Sequence, residues 1–139
     1  MEGKVALVMG GGAGTGRATV LAFAREGAKV VIADVNEKGG RETLALVEAQ
    51  GGSGLFVRAD MGVTADVQAV IEQTQKAFGA LHLVSNNAAL GTPNKSVADL
   101  SEEEWDRCMG VTLRGVWLSM KYQLPLIEAS GGGAIVNVA

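Results

Sequence analysis

Met9-Gly10-Gly11-Gly12-Ala13-Gly14-Thr15-Gly16-Arg17 follows the apolar run Val5-Ala6-Leu7-Val8 and precedes Ala18-Thr19-Val20-Leu21-Ala22-Phe23-Ala24. An unbroken apolar run, then glycines, then a helix-forming stretch describes a buried strand that turns tightly into a helix. Backbone N–H groups at a helix start are unpaired, the helix dipole favours negative charge there, and missing Cβ atoms let an anion come close. Glycines also serve ordinary turns and close helix–strand packing, so the phosphate seat this stretch predicts must be weighed with its surroundings.

Outward from the turn, the first helix is predicted to end at Gly27, and Ala28-Lys29-Val30-Val31-Ile32-Ala33 forms a second strand ending in Asp34. Glu37 to Gln50 is a second helix with Leu44 and Val47 on one side, stopped by Gly51-Gly52, and Leu55-Phe56-Val57 is a third strand ending near Asp60. Val67, Val70, Ile71, Thr74 and Phe78 recur at helical spacing between Ala65 and Phe78, with Thr64 as the N-cap and Gly79 as the stop. Leu81 to Ser85 is the fourth strand. After Asn86-Asn87-Ala88-Ala89 and a loop holding Gly91 and Pro93, Ser101-Glu102-Glu103-Glu104 spells a capping box. The helix it opens runs to about Glu128, with Trp105, Met109, Thr112, Val116, Met120 and Leu124 along one side and Pro125 bending its last turn. Gly131-Gly132-Gly133 ends it, and Ala134 to Val138 is a fifth strand.

Short apolar strands alternating with amphipathic helices predict an α/β fold: a Rossmann-like, doubly wound parallel sheet with helices on both faces and right-handed crossovers. The 139 residues, 47% of them hydrophobic, suffice for one domain, residues 1–139, ending after the fifth strand. In such sheets ligands sit at the carboxyl ends of the strands, where the glycine turn, Asp34, Asp60, Asn86 and Asn87 all fall. One crevice is expected to collect them.

A formal charge of −3 and the lack of a dense Lys/Arg run argue against nucleic acid or an anionic membrane as partner. No apolar run approaches a membrane span, and no signal sequence opens the chain. With Cys108 as the single cysteine, a cytoplasmic location is expected. One His and one Cys leave no His/Cys zinc site, and no metal is expected.

A P-loop would need Lys and Ser/Thr after its last glycine, where this chain has Arg17 and Ala18. The G-x-G-x-x-G fingerprint is not matched in register either, the spacing being Gly10-x-x-x-Gly14-x-Gly16. Asp34 lies where an acidic residue accepts hydrogen bonds from ribose hydroxyls. A 2′-phosphate would set negative charge against that carboxylate, and Ala13, Ala33, Val35 and Asn36 offer no base, so NAD is expected over NADP.

Gly10-x-x-x-Gly14-x-Gly16, Asp34, Asp60-Met61, Asn86-Asn87-Ala88-Ala89 and Ile135-Val136-Asn137-Val138 together resemble the N-terminal, cofactor-binding portion of the short-chain dehydrogenase/reductase family. The resemblance implies an NAD site of Gly10, Gly14, Thr15, Gly16, Asp34, Val35, Asp60, Met61, Asn87 and Ala88. It puts Asp60 on the adenine amino group, the Met61 backbone at the adenine edge, and Asn87 with Ala88 beside the nicotinamide ribose. It further implies an oxidoreductase that interconverts a secondary alcohol and a carbonyl, acting on a small molecule as a homo-oligomer through the helix at 102–128. Gly110 and Gly115 inside that helix mark a place of close packing, and the fifth strand would be an uncovered edge.

The chain departs from the family at Met9, usually Thr, at Ala89, usually Gly, and at His82, usually Asp, read here as a strand-start residue. Thr112 stands at the position of a catalytic Asn, and its hydroxyl is expected to bond to carbonyls of its own helix. The family's catalytic Ser, which follows the strand at Asn137-Val138-Ala139, and its Tyr-x-x-x-Lys pair are absent from residues 1–139, since Tyr122 has Leu126 four residues on. The 139-residue chain is therefore expected to hold NAD without turnover. A non-catalytic NAD-binding or interaction fragment is an alternative. An S-adenosylmethionine methyltransferase is another, although it would not predict Asn86-Asn87-Ala88 or Asp60-Met61.

Overall fold

Val5–Met9 forms β1, and all five residues are buried, as an unbroken apolar run requires when both faces of a strand are covered. The other strands are β2 (Lys29–Asp34), β3 (Gly54–Arg58), β4 (Leu83–Asn86) and β5 (Ala134–Asn137), and they pair in parallel in the order β3-β2-β1-β4-β5. The structure, a computed structural model, describes residues 1–91 and 93–138; Ala139, which the sequence reading attached to the last strand, lies outside them.

The helices are α1 (Gly14–Arg25), α2 (Glu37–Ala49), α3 (Thr64–Phe78), α4 (Glu102–Met109) and α5 (Gly115–Ala129). The two-residue period of β1 sorts them into layers. Val5, Leu7 and Met9 enter one core with Val67 and Val70 of α3 and Leu118 and Ile127 of α5, whereas Ala6 and Val8 enter another with Val20 of α1 and Val47 of α2. Helices therefore cover both faces, and the doubly wound parallel architecture expected from the sequence is the one found. The chain moves outward from β1 to β3 and then returns to place β4 on the other side of β1, so the order reverses between β1 and β4. Met9 pairs with both Ala33 and Asn86, and Asn86 with Asn137, which sets the carboxyl ends of four strands level at that reversal.

Local differences from the sequence reading have identifiable causes. Thr64 is the first residue of α3 and caps nothing; the cap position is Val63, and Asp66 in the first turn accepts the Asp60 N–H at 2.9 Å instead. β4 begins at Leu83, because Leu81 donates its N–H to Ser130 Oγ at 2.9 Å rather than to a strand. Gly79, at φ 73°, closes α3 as anticipated, and the Ser101/Glu104 capping box opens α4.

The long helix is interrupted by a single π-helical turn at Gly110–Arg114 between α4 and α5. Such a turn inserts an extra residue and often marks a functional position. The side read as one stripe is not the buried face: Trp105 is 53% exposed and Leu124 46%, and only Val116 of it packs against the core. Val111, Gly115, Leu118, Ser119, Gln123, Leu126 and Ile127 are buried instead. A Cβ on Gly115 would lie 3.0 Å from the Met61 carbonyl oxygen, which is the close packing that this glycine permits, while Gly110 has open space around it. On the other face, a Cβ on Gly40 of α2 would come within 2.0 Å of the Phe56 ring, and one on Gly39 within 2.7 Å of the Gly12 carbonyl oxygen. The first turn of α2 thus rests directly on the glycine turn.

Candidate functional site

The glycine turn occupies the reversal between β1 and β4, and its glycines do different things. Gly10, at φ 81°, donates its N–H to Ala33 O at 2.7 Å, and a Cβ there would strike the Ala88 nitrogen at 2.6 Å. It lets the ends of β1 and the post-β4 segment touch. A Cβ on Gly16 would fall 1.9 Å from the Gly10 carbonyl oxygen, so this glycine seats α1 under the turn. Gly14, at φ 52°, has nothing within 4 Å of where its Cβ would be, and it faces open space. The cap position of α1 is Ala13, which supplies no side-chain acceptor. The first N–H groups of α1 are left without a side-chain partner, which is the condition for an anion seat.

At the end of β2, the Asp34 carboxylate is held by two backbone donors: Gly12 N–H to Oδ2 at 2.8 Å and Asn36 N–H to Oδ1 at 2.9 Å. Across the cleft, Asp60 Oδ1 accepts Gly62 N–H and Oδ2 accepts Arg107 Nη2, each at 2.8 Å. Burial pushes the Asp60 pKa up, but the Arg107 hydrogen bond, the Gly62 N–H and the Arg107 charge outweigh it and hold the carboxyl below its usual range. Met61 is buried at 3% exposure behind it.

Asn87 donates its main-chain N–H to Met9 O at 2.8 Å and its side-chain Nδ2 to Ser85 Oγ at 2.8 Å, yet its Oδ1 is buried without a partner. A buried acceptor in a cleft wall with no donor facing it is a position that a bound molecule can complete. Asn86, expected in the same crevice, is turned away from it: at 1% exposure it exchanges amide hydrogen bonds with the fully buried Gln123 and donates to Asn137 Oδ1 at 2.8 Å. A side chain at the fourth-strand end alternates with its neighbour, so adjacent asparagines cannot both face one cleft.

Thr112 also departs from expectation. Its hydroxyl bonds to no carbonyl of its own helix; it accepts the Leu90 N–H at 3.0 Å and donates to Leu90 O at 3.1 Å, where Cys108 Sγ also donates at 2.9 Å. The π turn therefore grips the segment that follows β4.

Gly10, Asp34, Val35, Asp60, Met61, Asn87 and Ala88 all line one cleft, as does Ala13. Gly14 and Thr15 lie exposed outside that lining and Gly16 is buried beneath the turn. Leu90, Arg107 and Val111 line it too, and sequence reasoning missed them. Arg107 and Val111 stand one helical turn apart, so counting from the capping box would have found the pair had the apolar stripe not been laid along Trp105 and Leu124. Met9, Ala33 and Ala59 add an apolar floor. An anion seat beside a fixed carboxylate and an apolar slot suits a nucleotide. Among the described residues there is no cluster of three His, Cys, Asp or Glu fit to hold a metal, and no helix long and apolar enough to cross a membrane.

A family model described as short chain dehydrogenase matches residues 4–139. A short chain dehydrogenase/reductase of Aspergillus oryzae is 45% identical over 141 residues, covering 100% of this chain and 54% of that protein. Cyclohexanol dehydrogenase of an Acinetobacter strain is 40% identical over 136 residues, covering 98% of this chain and 54% of the relative. The solved structure of a short chain dehydrogenase/reductase from Burkholderia phymatum in complex with NAD superposes with a TM-score of 0.94 at 34% identity, over 99% of this chain and 49% of that one. The chain spans about half the length of the curated relatives it matches.

Proposed function

The chain belongs to the short-chain dehydrogenase family, and from that premise we propose that it carries the NAD-binding part of an oxidoreductase interconverting a secondary alcohol and a carbonyl. The observation that carries the proposal is the convergence of the open Gly14 turn, the fixed Asp34 carboxylate and the unpartnered Asn87 Oδ1 at the strand-order reversal. The name of the Acinetobacter relative, a cyclohexanol dehydrogenase, supports the alcohol class.

In this reading Gly10, Gly14, Thr15 and Gly16 with the start of α1 bind the pyrophosphate. Asp34 and Val35 take the adenosine ribose, with NAD preferred over NADP because the carboxylate repels a 2′-phosphate. Asp60 and Met61 face the adenine, and Asn87 and Ala88 flank the nicotinamide ribose, with Leu90 fixed beside them by Thr112. When bound, the nicotinamide supplies or accepts the hydride. The chain's own residues orient it and exclude water along the apolar floor. A proton donor for the carbonyl oxygen is a separate requirement, and Tyr122 does not meet it, being half-buried in α5 with Leu126 where a lysine is needed. We assign residues 1–139 coenzyme binding without turnover.

The exposed apolar side chains of the long helix, Trp105, Leu113, Trp117 and Leu124, support association of copies through 102–128. Cys108, half-buried and without a disulfide, fits a reducing, cytoplasmic setting. Calorimetric titration of the 139-residue chain with NAD, NADP and S-adenosylmethionine tests the reading. Saturable NAD binding with weaker NADP binding and no alcohol oxidation is expected. Binding of S-adenosylmethionine without NAD would overturn the coenzyme assignment, and alcohol-dependent NADH formation would overturn the need for a further proton donor.

A further inference from the structure

Asp34 is one member of a closed circuit of hydrogen bonds. Gly12 N–H donates to Asp34 Oδ2 at 2.8 Å, and the Gly12 carbonyl accepts Arg17 Nη2 at 2.6 Å. The same Nη2 reaches the Gly39 carbonyl at 3.2 Å, Gly39 N–H donates to Asn36 Oδ1 at 3.1 Å, and Asn36 N–H returns to Asp34 Oδ1 at 2.9 Å. Arg17 is the one cation in the ring. It is anchored from behind, with Nε donating to the Oγ1 of fully buried Thr43 at 2.9 Å and Nη2 lying 3.2 Å from Glu42.

We propose that Arg17 is a positioning residue for coenzyme choice: by joining the Gly12 and Gly39 carbonyls it fixes the two backbone donors that aim the Asp34 carboxylate at a ribose hydroxyl pair. This rests on the NAD reading above. A role as ion-pair support for the fold is the weaker account, since the Glu42 contact is half-exposed and such pairs contribute little. Two carbonyls from separate segments sharing one guanidinium nitrogen is instead a geometric constraint, and planar guanidinium is suited to it. A role as a phosphate ligand is disfavoured because Nε and Nη2 already serve protein acceptors.

The three roles move coenzyme discrimination in different directions. The 139-residue chain is titrated with NAD and NADP as wild type, Arg17→Met, Arg17→Lys, Asn36→Ala, Asp34→Ala and the Arg17→Met/Asp34→Ala pair, with thermal unfolding alongside. We expect Arg17→Met to weaken NAD about tenfold while leaving NADP nearly unchanged, as loss of one aimed charge-assisted hydrogen bond does. Arg17→Lys recovers most of the loss, and Asn36→Ala, which opens the ring at another point, repeats the loss should Arg17→Met fail to fold. In the Asp34→Ala background Arg17→Met has no further effect. Equal losses of NAD and NADP would reduce Arg17 to fold support, and a greater loss of NADP would make it a phosphate ligand; either overturns the proposal. If wild type itself does not prefer NAD, the coenzyme reading fails, an outcome distinct from an unchanged ratio in Arg17→Met.

Discussion

His82 Nδ1 accepts the Val5 backbone N–H at 3.1 Å, and the main chain of His82 binds Val5 O on one side and the Ala134 N–H on the other. A residue before β4 thereby joins the central strand to the edge strand. Nδ1 can accept only while it carries no proton. Burial, and then the Lys4 charge, hold the His82 pKa below the ordinary value of 6.5. The unfolded chain therefore takes up a proton that the folded chain refuses. Stability is full above 6.5 and declines as pH falls from 6.5 toward the folded pKa. Urea midpoints measured from about pH 7.5 down to about 5.5 should drop, and His82→Asn, whose amide oxygen can accept the same N–H, should flatten that slope. An unchanged slope in the variant would assign the effect elsewhere.

Gly16→Ala and Gly14→Ala separate steric need from backbone need. At Gly16 the new methyl meets a backbone oxygen at 1.9 Å, so a loss of about 3 kcal/mol or more is expected. At Gly14 there is room, and the left-handed backbone alone costs about 1 kcal/mol. Thermal unfolding should rank them so; similar melting points would contradict the packing described for the turn.

Thr112→Val keeps the shape of the side chain and removes both bonds to Leu90. Leu90 is exposed enough for water to replace one partner, so about 1 kcal/mol of stability and about a threefold loss of NAD affinity are expected. Thr112→Ser keeps both bonds and should bind NAD as the parent does. A serine variant as weak as the valine one would show that the methyl group matters and the hydroxyl does not.

Ser119 and Gln123 sit on the same buried face of α5 with opposite consequences. Ser119 Oγ is buried without a partner, so Ser119→Ala should raise stability by about 1 kcal/mol. Gln123 satisfies Asn86 in both directions, so Gln123→Leu strands a buried amide and should cost about 2–3 kcal/mol. Chemical denaturation that found Ser119→Ala destabilising would point to an acceptor for that hydroxyl.

The same face explains what the sequence made legible. Continuous apolar runs identified the strands, most plainly β1 and β2, whose burial on both sides leaves no polar face, and glycine with capping-box spelling marked most helix ends. The buried face of α5 went unread because Gly115, Ser119 and Gln123 look polar or small, while Trp105, Leu113 and Trp117 look like core yet are exposed. The π turn left no periodic trace. Within the cleft, Gly10, Asp34, Asp60 and Asn87 could be set at strand ends from the alternation of strands and helices, whereas Val35, Met61 and Ala88 entered only through the family resemblance. Arg107 was missed as a cleft residue because its partner Asp60 lies on another element, and the contacts of Arg17 with the Gly12 and Gly39 carbonyls were hidden for the same reason. The partner of Thr112, Leu90 across the cleft, was not visible to a reading confined to one helix.

Gly40 and Gly10 are both forbidden a side chain, but by different kinds of neighbour, and that difference decides whether a lesion can be undone by a second-site suppressor. The obstacle at Gly40 is the Phe56 ring, at 2.0 Å. A smaller residue at position 56 clears the space, so Gly40→Ala should be rescued by Phe56→Leu. The obstacle at Gly10 is the main chain of Asn87 and Ala88, which every amino acid carries. No substitution at 87 or 88 can make way for a methyl group there, and a selection for revertants of Gly10→Ala should return glycine itself.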